Sequence, residues 1–154
     1  MLFRKLRTLF ALEVSERKIV MLVMIILPVI SLWLSLFGLK RMLILMRSSK
    51  SSPVIEDVKA CLKKTSKAFQ AALRNSPCKG KCLSQSLALW WVLYWQHINC
   101  DICIGVRLQK GELSAHAWVE YKGVPLNESA DIRERFSTFE SIFNASSLGL
   151  DKLY

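Results

Sequence analysis

From Ile19 to Leu39 the chain carries no charged residue, a run of 21 residues. As helix, such a run spans about 30 Å, the thickness of a bilayer's hydrocarbon core. Arg17, Lys18, Lys40 and Arg41 bracket it, and Trp33 suits a membrane interface. Three structures satisfy such a run: a membrane span, a hairpin kinked at Pro28 that dips into one leaflet, or a helix packed on a folded domain. A signal peptide is a poor match. The preceding region is long, it contains Glu13 and Glu16, and no small-x-small cleavage site follows. Membrane contact is the expectation. Orientation stays open, since five positive residues precede the run and four follow it.

The distribution of charge supports that expectation. The whole chain carries +10, but residues 1–50 hold nine Lys/Arg against two acids, whereas residues 51–154 hold thirteen against ten. A nucleic-acid binder would place its excess on the folded domain, so no nucleic-acid partner is expected. An excess flanking an apolar segment fits an anionic membrane surface. With 52% hydrophobic and 22% charged residues the chain is not a disordered one. Five cysteines, an odd count without a cleavable signal, point to a reducing compartment.

The Ser-rich stretch Met46–Pro53 is the natural boundary. It separates an apolar, membrane-associated helical segment, 1–50, from a folded domain, 51–154. Pro53, capped by Ser52, suits the start of an amphipathic helix to about Leu73, with Val54, Val58, Leu62, Phe69 and Leu73 near a 3.6 period. After the break RNSPCKGKC comes CLSQSLALWWVLYWQ, apolar nearly all round and so a buried helix. Ile98 to Leu108 alternates as a strand. QKGE turns, LSAHAWVEY is a second strand, Lys122-Gly123 turns again, and VPLNE is a short third strand. In the second strand Ala115, Ala117, Val119 and Tyr121 point one way, and Ser114, His116, Trp118 and Glu120 the other. The tail ADIRERFSTFESIF reads as helix. The order is α+β.

Two uses of the thiols compete. Cys78, Cys82, Cys100 and Cys103 have a zinc-like spacing, but an apolar helix lies between the pairs. An offset of three in a strand also sends Cys100 and Cys103 to opposite faces. No metal and no cofactor are therefore expected. The alternative is a thiol–imidazole pair. Cys82 opens the buried helix, where free backbone N–H groups, the helix dipole, Lys79 and Lys81 all favour a thiolate. His97 closes the same helix, fifteen residues or about 22 Å away, and serves the helix C-terminus instead. His116 is then the base, and Asn127, Glu128 and Asp131 are candidates to orient it. With Lys122-Gly123 as a two-residue turn, Asn127 and Asp131 share the His116 face. A three-residue loop would put Glu128 there.

The combination C-L-x-x-S/A-L-A-L at the helix start, I-G-V in a strand, then A-H-A-W-V-E and L-N-D/E resembles the leader peptidases of lasso-peptide biosynthesis. These are transglutaminase-like proteins of the microcin-processing type. The likeness covers roughly Val54 to Phe139, and ALEVSERKIVMLVMIILP more loosely. It implies a papain/transglutaminase-like core, with a Cys-bearing helix packed on a small antiparallel sheet, preceded by the long apolar helical segment. It implies a cysteine peptidase that removes the leader from a precursor peptide, with Cys82 as nucleophile, His116 as base and Glu128 as acid. Glu stands where the family usually has Asp, so Asn127 stays a rival. The implied partners are the precursor, a separate leader-recognition protein, the ring-closing synthetase and an export transporter, all at the cytoplasmic face of a bacterial membrane. Transglutaminase-like acyl transfer, or a membrane-tethered, non-catalytic binding module with or without a stabilising zinc, are the alternatives.

Overall fold

In the computed structural model the described residues are 14–46, 57–76, 80–109 and 111–139. The first helix, α1 (Val14–Met46), shows two unlike faces. Glu16, Val20, Val23, Leu27 and Ile30 recur every three or four residues and are buried. On the opposite stripe Met21, Ile25, Val29, Leu32 and Leu36 are 58–66% exposed. Helical dihedrals run through Pro28, which lies on the exposed side, and break at Gly38 (φ 73°, ψ 172°). The kink expected at Pro28 is thus at Gly38. A proline removes one backbone bond, which the helix absorbs, whereas a glycine without Cβ reaches a dihedral that interrupts the helix before it resumes to Met46.

The inner face of α1 packs on α2 (Val58–Asn75) and α3 (Cys82–Trp95). Val20, Val23, Leu27 and Ile30 share one core with Leu62, Phe69, Leu87, Leu89 and Leu93. This packing crosses the sequence boundary at residue 50. Lys67 of α2 also donates to Glu16 of α1 at 3.2 Å. Helix α2 begins later than its sequence suggests. Asp57 is its cap, with Oδ1 accepting from Ala60 N at 3.0 Å. The expected cap, Ser52, and Pro53 lie outside the described residues.

Helix α3 is the central element, with eight of its fourteen residues buried. It stops where His97 takes a left-handed φ of 58° and Ile98 N bonds Leu93 O at 2.9 Å, a motif that closes helix ends. The strands β1 (Asp101–Gln109), β2 (Glu112–Tyr121), β3 (Val124–Pro125) and β4 (Ser137–Phe139) form an antiparallel sheet ordered β3-β2-β1-β4. The architecture is α+β. Positive φ at both Lys122 (50°) and Gly123 (78°) gives the tight turn whose twist suits a hairpin. Among the described residues of the tail, Ile132–Arg135 is helical, as a short α4. The next residues form β4 rather than a continued helix, because Thr138 and Phe139 fit the free edge of β1, opposite Gly105 and Ile104.

The sheet has two sides with different covers. Ile102 and Val119 belong to the core shared with the helices. Cys103, Trp118, Ile132 and Phe136 form a second, smaller cluster under α4.

Candidate active site

Alternation along β2 puts His116 on the α4 side, with Trp118 and Glu120. Its ring lies 5.3 Å from that of Phe136 and 6.4 Å from that of Trp118. His116 Nε2 bonds Glu128 Oε1 at 2.8 Å, and both side chains are only partly exposed, at 26% and 30%. With a carboxylate acceptor on Nε2, that nitrogen carries the proton and Nδ1 is left as the basic position.

The contact with Glu128 arises where strand parity stops applying. The pairs Tyr121↔Val124 and Glu120↔Pro125 are those of a two-residue turn, a register that would assign Glu128 to the Ala117 face. Proline has no N–H to continue the ladder. One further bond forms, Leu126 N to Val119 O at 2.9 Å, and the chain then bends through residues 126–128. That bend turns Glu128 onto the imidazole. Asn127 goes elsewhere. Its Oδ1 accepts from Val119 N at 2.8 Å, and its Nδ2 points at Ser86 Oγ at 3.4 Å. Asp131 accepts from Ser129 Oγ and begins α4.

Cys82 is the first residue of α3 and is partly exposed. Local chemistry fixes that start. Gly80 takes a φ of +64°, and a Cβ there would come within 2.7 Å of Ser84 Oγ. Ser84 Oγ in turn accepts from Lys81 N at 2.9 Å. The helix runs alongside β2. Ser86 Oγ donates to Ala117 O at 2.8 Å, and one turn later Trp90 Nε1 donates to Cys100 O at 2.8 Å. Cys100 is level with Tyr121, by extension of the Asp101↔Glu120 pairing. Helix and strand thus run in the same direction. One turn back from Ser86 is about 6 Å, or about two strand residues, which sets Cys82 about level with Ala115 and His116. Among the described residues the Cys82 thiol has no hydrogen bond to His116 or Glu128.

The other thiols have different surroundings. Burial, then Asp101, pushes the Cys100 thiol up to about 12. Burial, then Glu120, does the same to Cys103, also to about 12. Cys100 sits in the helix-side core and Cys103 in the α4-side cluster. No group of three or more metal-ligating side chains occurs among the described residues, and Cys78 lies outside them.

A charged brace beneath His116 has no counterpart in the sequence reading. Glu120, with its side chain 2% exposed, accepts from Trp118 Nε1 at 2.7 Å and from Arg133 Nε at 2.8 Å, and Arg133 Nη2 also donates to it. The Arg133 hydrogen bond, helped by Trp118, holds the Glu120 carboxyl below its ordinary 4.5 against the opposing effect of burial. The W and E of A-H-A-W-V-E therefore support the strand that bears the histidine. An acid on the His face of an otherwise apolar strand centre was the available signal. Gly105, opposite His116, was also missed. A Cβ there would meet Phe136 Cβ and Trp118 Cη2 at 2.9 Å each.

Residues 24–141 match the transglutaminase-like superfamily. The chain belongs to that superfamily. Its members are typically cysteine proteases or acyltransferases, and the matched region takes in most of α1 as well as the sheet. The chain is also similar to the microcin J25-processing protein McjB of Escherichia coli, with 34% identity over 64 residues. That match covers 42% of this chain and 30% of the relative, so it spans less than a third of the relative's length. No solved structure matches the chain.

Proposed function

We propose that this transglutaminase-like protein is a cysteine peptidase that removes the leader from a ribosomally made lasso-peptide precursor. The observation that carries this reading is the His116–Glu128 hydrogen bond at 2.8 Å, on the strand whose Ala117 O accepts from Ser86 Oγ, one turn after Cys82. Cys82 would attack the scissile carbonyl as thiolate. Nδ1 of His116, its ring held by Glu128, would take the thiol proton and pass it to the leaving amine. Water, deprotonated by the same ring, would hydrolyse the thioester and release the acid product. First-turn backbone N–H groups of α3 would face the oxyanion. An open cleft of about 390 Å³ lies between α1 and the start of α3, walled by Leu34, Leu39, Lys81 and Leu83. The similarity to a microcin-processing protein supports the choice of a precursor peptide as substrate.

The leader would be presented by a separate recognition protein, and the product passed to a ring-closing synthetase and an export transporter. The catalytic domain would work at the cytoplasmic face of the membrane, where the precursor is made. The test is co-expression with the precursor and recognition protein, followed by mass analysis of the peptide. Loss of leader removal in Cys82→Ala is expected. Cleavage that persists in that variant would sink the reading. A product heavier by an added amine would convert it to acyl transfer.

A further inference from the structure

The inner face of α1 is fully committed, yet its outer face is as apolar as a membrane span. The most apolar 18-residue window within Val14–Leu39 has a mean hydropathy of 2.7, and 22% of it is buried. Met21, Ile25, Val29, Leu32 and Leu36 line the outer face over more than four turns. Beside Val29 an apolar cleft of about 310 Å³ opens between Trp33, Met42, Trp91 and Trp95, and Trp95 is itself 60% exposed. We propose that α1 seats this outer face in one leaflet of an anionic bilayer, with its axis in the membrane plane, and does not cross. This deepens the membrane location proposed above.

Two observations exclude a span by the packed helix. To cross, α1 would have to leave α2 and α3, baring Leu62, Phe69 and Leu89 to water. It would also part Glu16, 5% exposed, from Lys67. Charge selects lipid as the occupant. Exposed Lys18 lies near one end of the outer face, and exposed Arg41 follows the Gly38 break at the other. A second copy of a chain carrying +10 would be repelled, whereas an anionic leaflet attracts it. Cations at the ends of an apolar stripe, with indoles nearby, are what an interfacial helix presents to headgroups.

The test floats the full-length protein with sealed vesicles of phosphatidylcholine, with or without phosphatidylglycerol. At least about tenfold more protein should float with the anionic vesicles, and added salt should reduce it. Ile25→Glu with Leu32→Glu should lower flotation by about tenfold while leaving the circular-dichroism melt unchanged. Protease added outside the vesicles should remove an N-terminal tag and digest the catalytic domain alike. A protected tag would mean a span and overturn the proposal. So would absence of flotation with a concentration-dependent dimer that Ile25→Glu dissolves. So would protection of an Ile25→Cys thiol from a water-soluble maleimide in lipid-free protein, which would mean the chain covers this face itself. Cys82→Ala should float like the parent, so failure here and failure of the peptidase reading are read separately.

Discussion

On one side of β2, Val119 lies in the α3 core of leucines, isoleucines and tryptophan, and buried Ala117 points the same way. On the other side, His116, Trp118 and Glu120 lie under α4 and Phe136, joined by hydrogen bonds and an ion pair. One backbone serves both because strand side chains alternate. The helix side is held mainly by burial, which is non-directional, with Ser86 Oγ to Ala117 O and Trp90 Nε1 to Cys100 O as its hydrogen bonds. The α4 side is held by directional bonds, and it carries the imidazole. An apolar face could support His116, but would not orient it. Precision is concentrated on the side that carries the proposed base.

If the two sides divide labour in this way, substitutions on the α4 side should separate activity from stability. The largest expected effect is that of His116→Ala. Leader removal should fall by about 10³-fold or more, as for loss of a general base. The same variant should keep its urea midpoint within about 1 kcal/mol, because the ring is already partly exposed and its removal strands no buried charge. Equal losses in both assays would mean that His116 is a structural residue and would end the division.

Glu120→Ala should do the reverse. Removing one partner of a buried ion pair costs about 3–5 kcal/mol. Arg133 is 53% exposed and recovers water, which places the loss near the lower end. Urea unfolding measures it directly. The same pair gives a pH dependence. Glu120 has a folded value below its ordinary 4.5, so its stabilisation is complete above 4.5 and is lost as pH falls through the folded value. The Glu120→Ala variant should therefore show a flatter decline of stability below pH of about 4.5 than the parent.

Gly105→Ala comes next. A methyl at this position would press on Phe136 and Trp118 at 2.9 Å, closer than real Cβ contacts come. Overpacking of this kind costs about 1–3 kcal/mol, and here it would also shift the rings beside His116. Activity should fall more than stability. A variant as active as the parent would show that the ring cluster does not position the imidazole.

The same contrast explains what could be read from the residues alone. Periodicity reports faces, so the buried α3, the β1–β2 hairpin and the side on which His116 lies were all legible. The opposite placement of Cys100 and Cys103 followed from parity too. Periodicity says nothing about where a ladder ends or which edge a tail can join. The bend after Pro125, the strand at Ser137–Phe139 and the reach of Arg133 to Glu120 depend on neighbours distant in sequence. The break at Gly38 rather than Pro28 depends on which residue takes a left-handed dihedral, which composition alone does not reveal.

The smallest expected effect tests two adjacent residues against each other. Asn127 and Glu128 were both candidates to hold the imidazole, and the bend after Pro125 sends them to different partners. Asn127 Oδ1 stands in for the strand that β3 does not continue, satisfying Val119 N at 2.8 Å. Asn127→Ala should cost about 1 kcal/mol, the net worth of a hydrogen bond, partly offset by water reaching a sheet edge. It should leave the rate of cleavage nearly in place, because nothing that touches the imidazole is removed. Glu128→Gln keeps the side-chain shape but removes the carboxylate that accepts from Nε2, so it should slow cleavage while leaving the urea midpoint nearly unchanged. Slower cleavage in the Asn127 variant and an unchanged rate in the Glu128 variant would reassign the orienting role to Asn127. The geometry argues for the opposite outcome, since one of the pair bonds the ring and the other bonds the backbone that carries it.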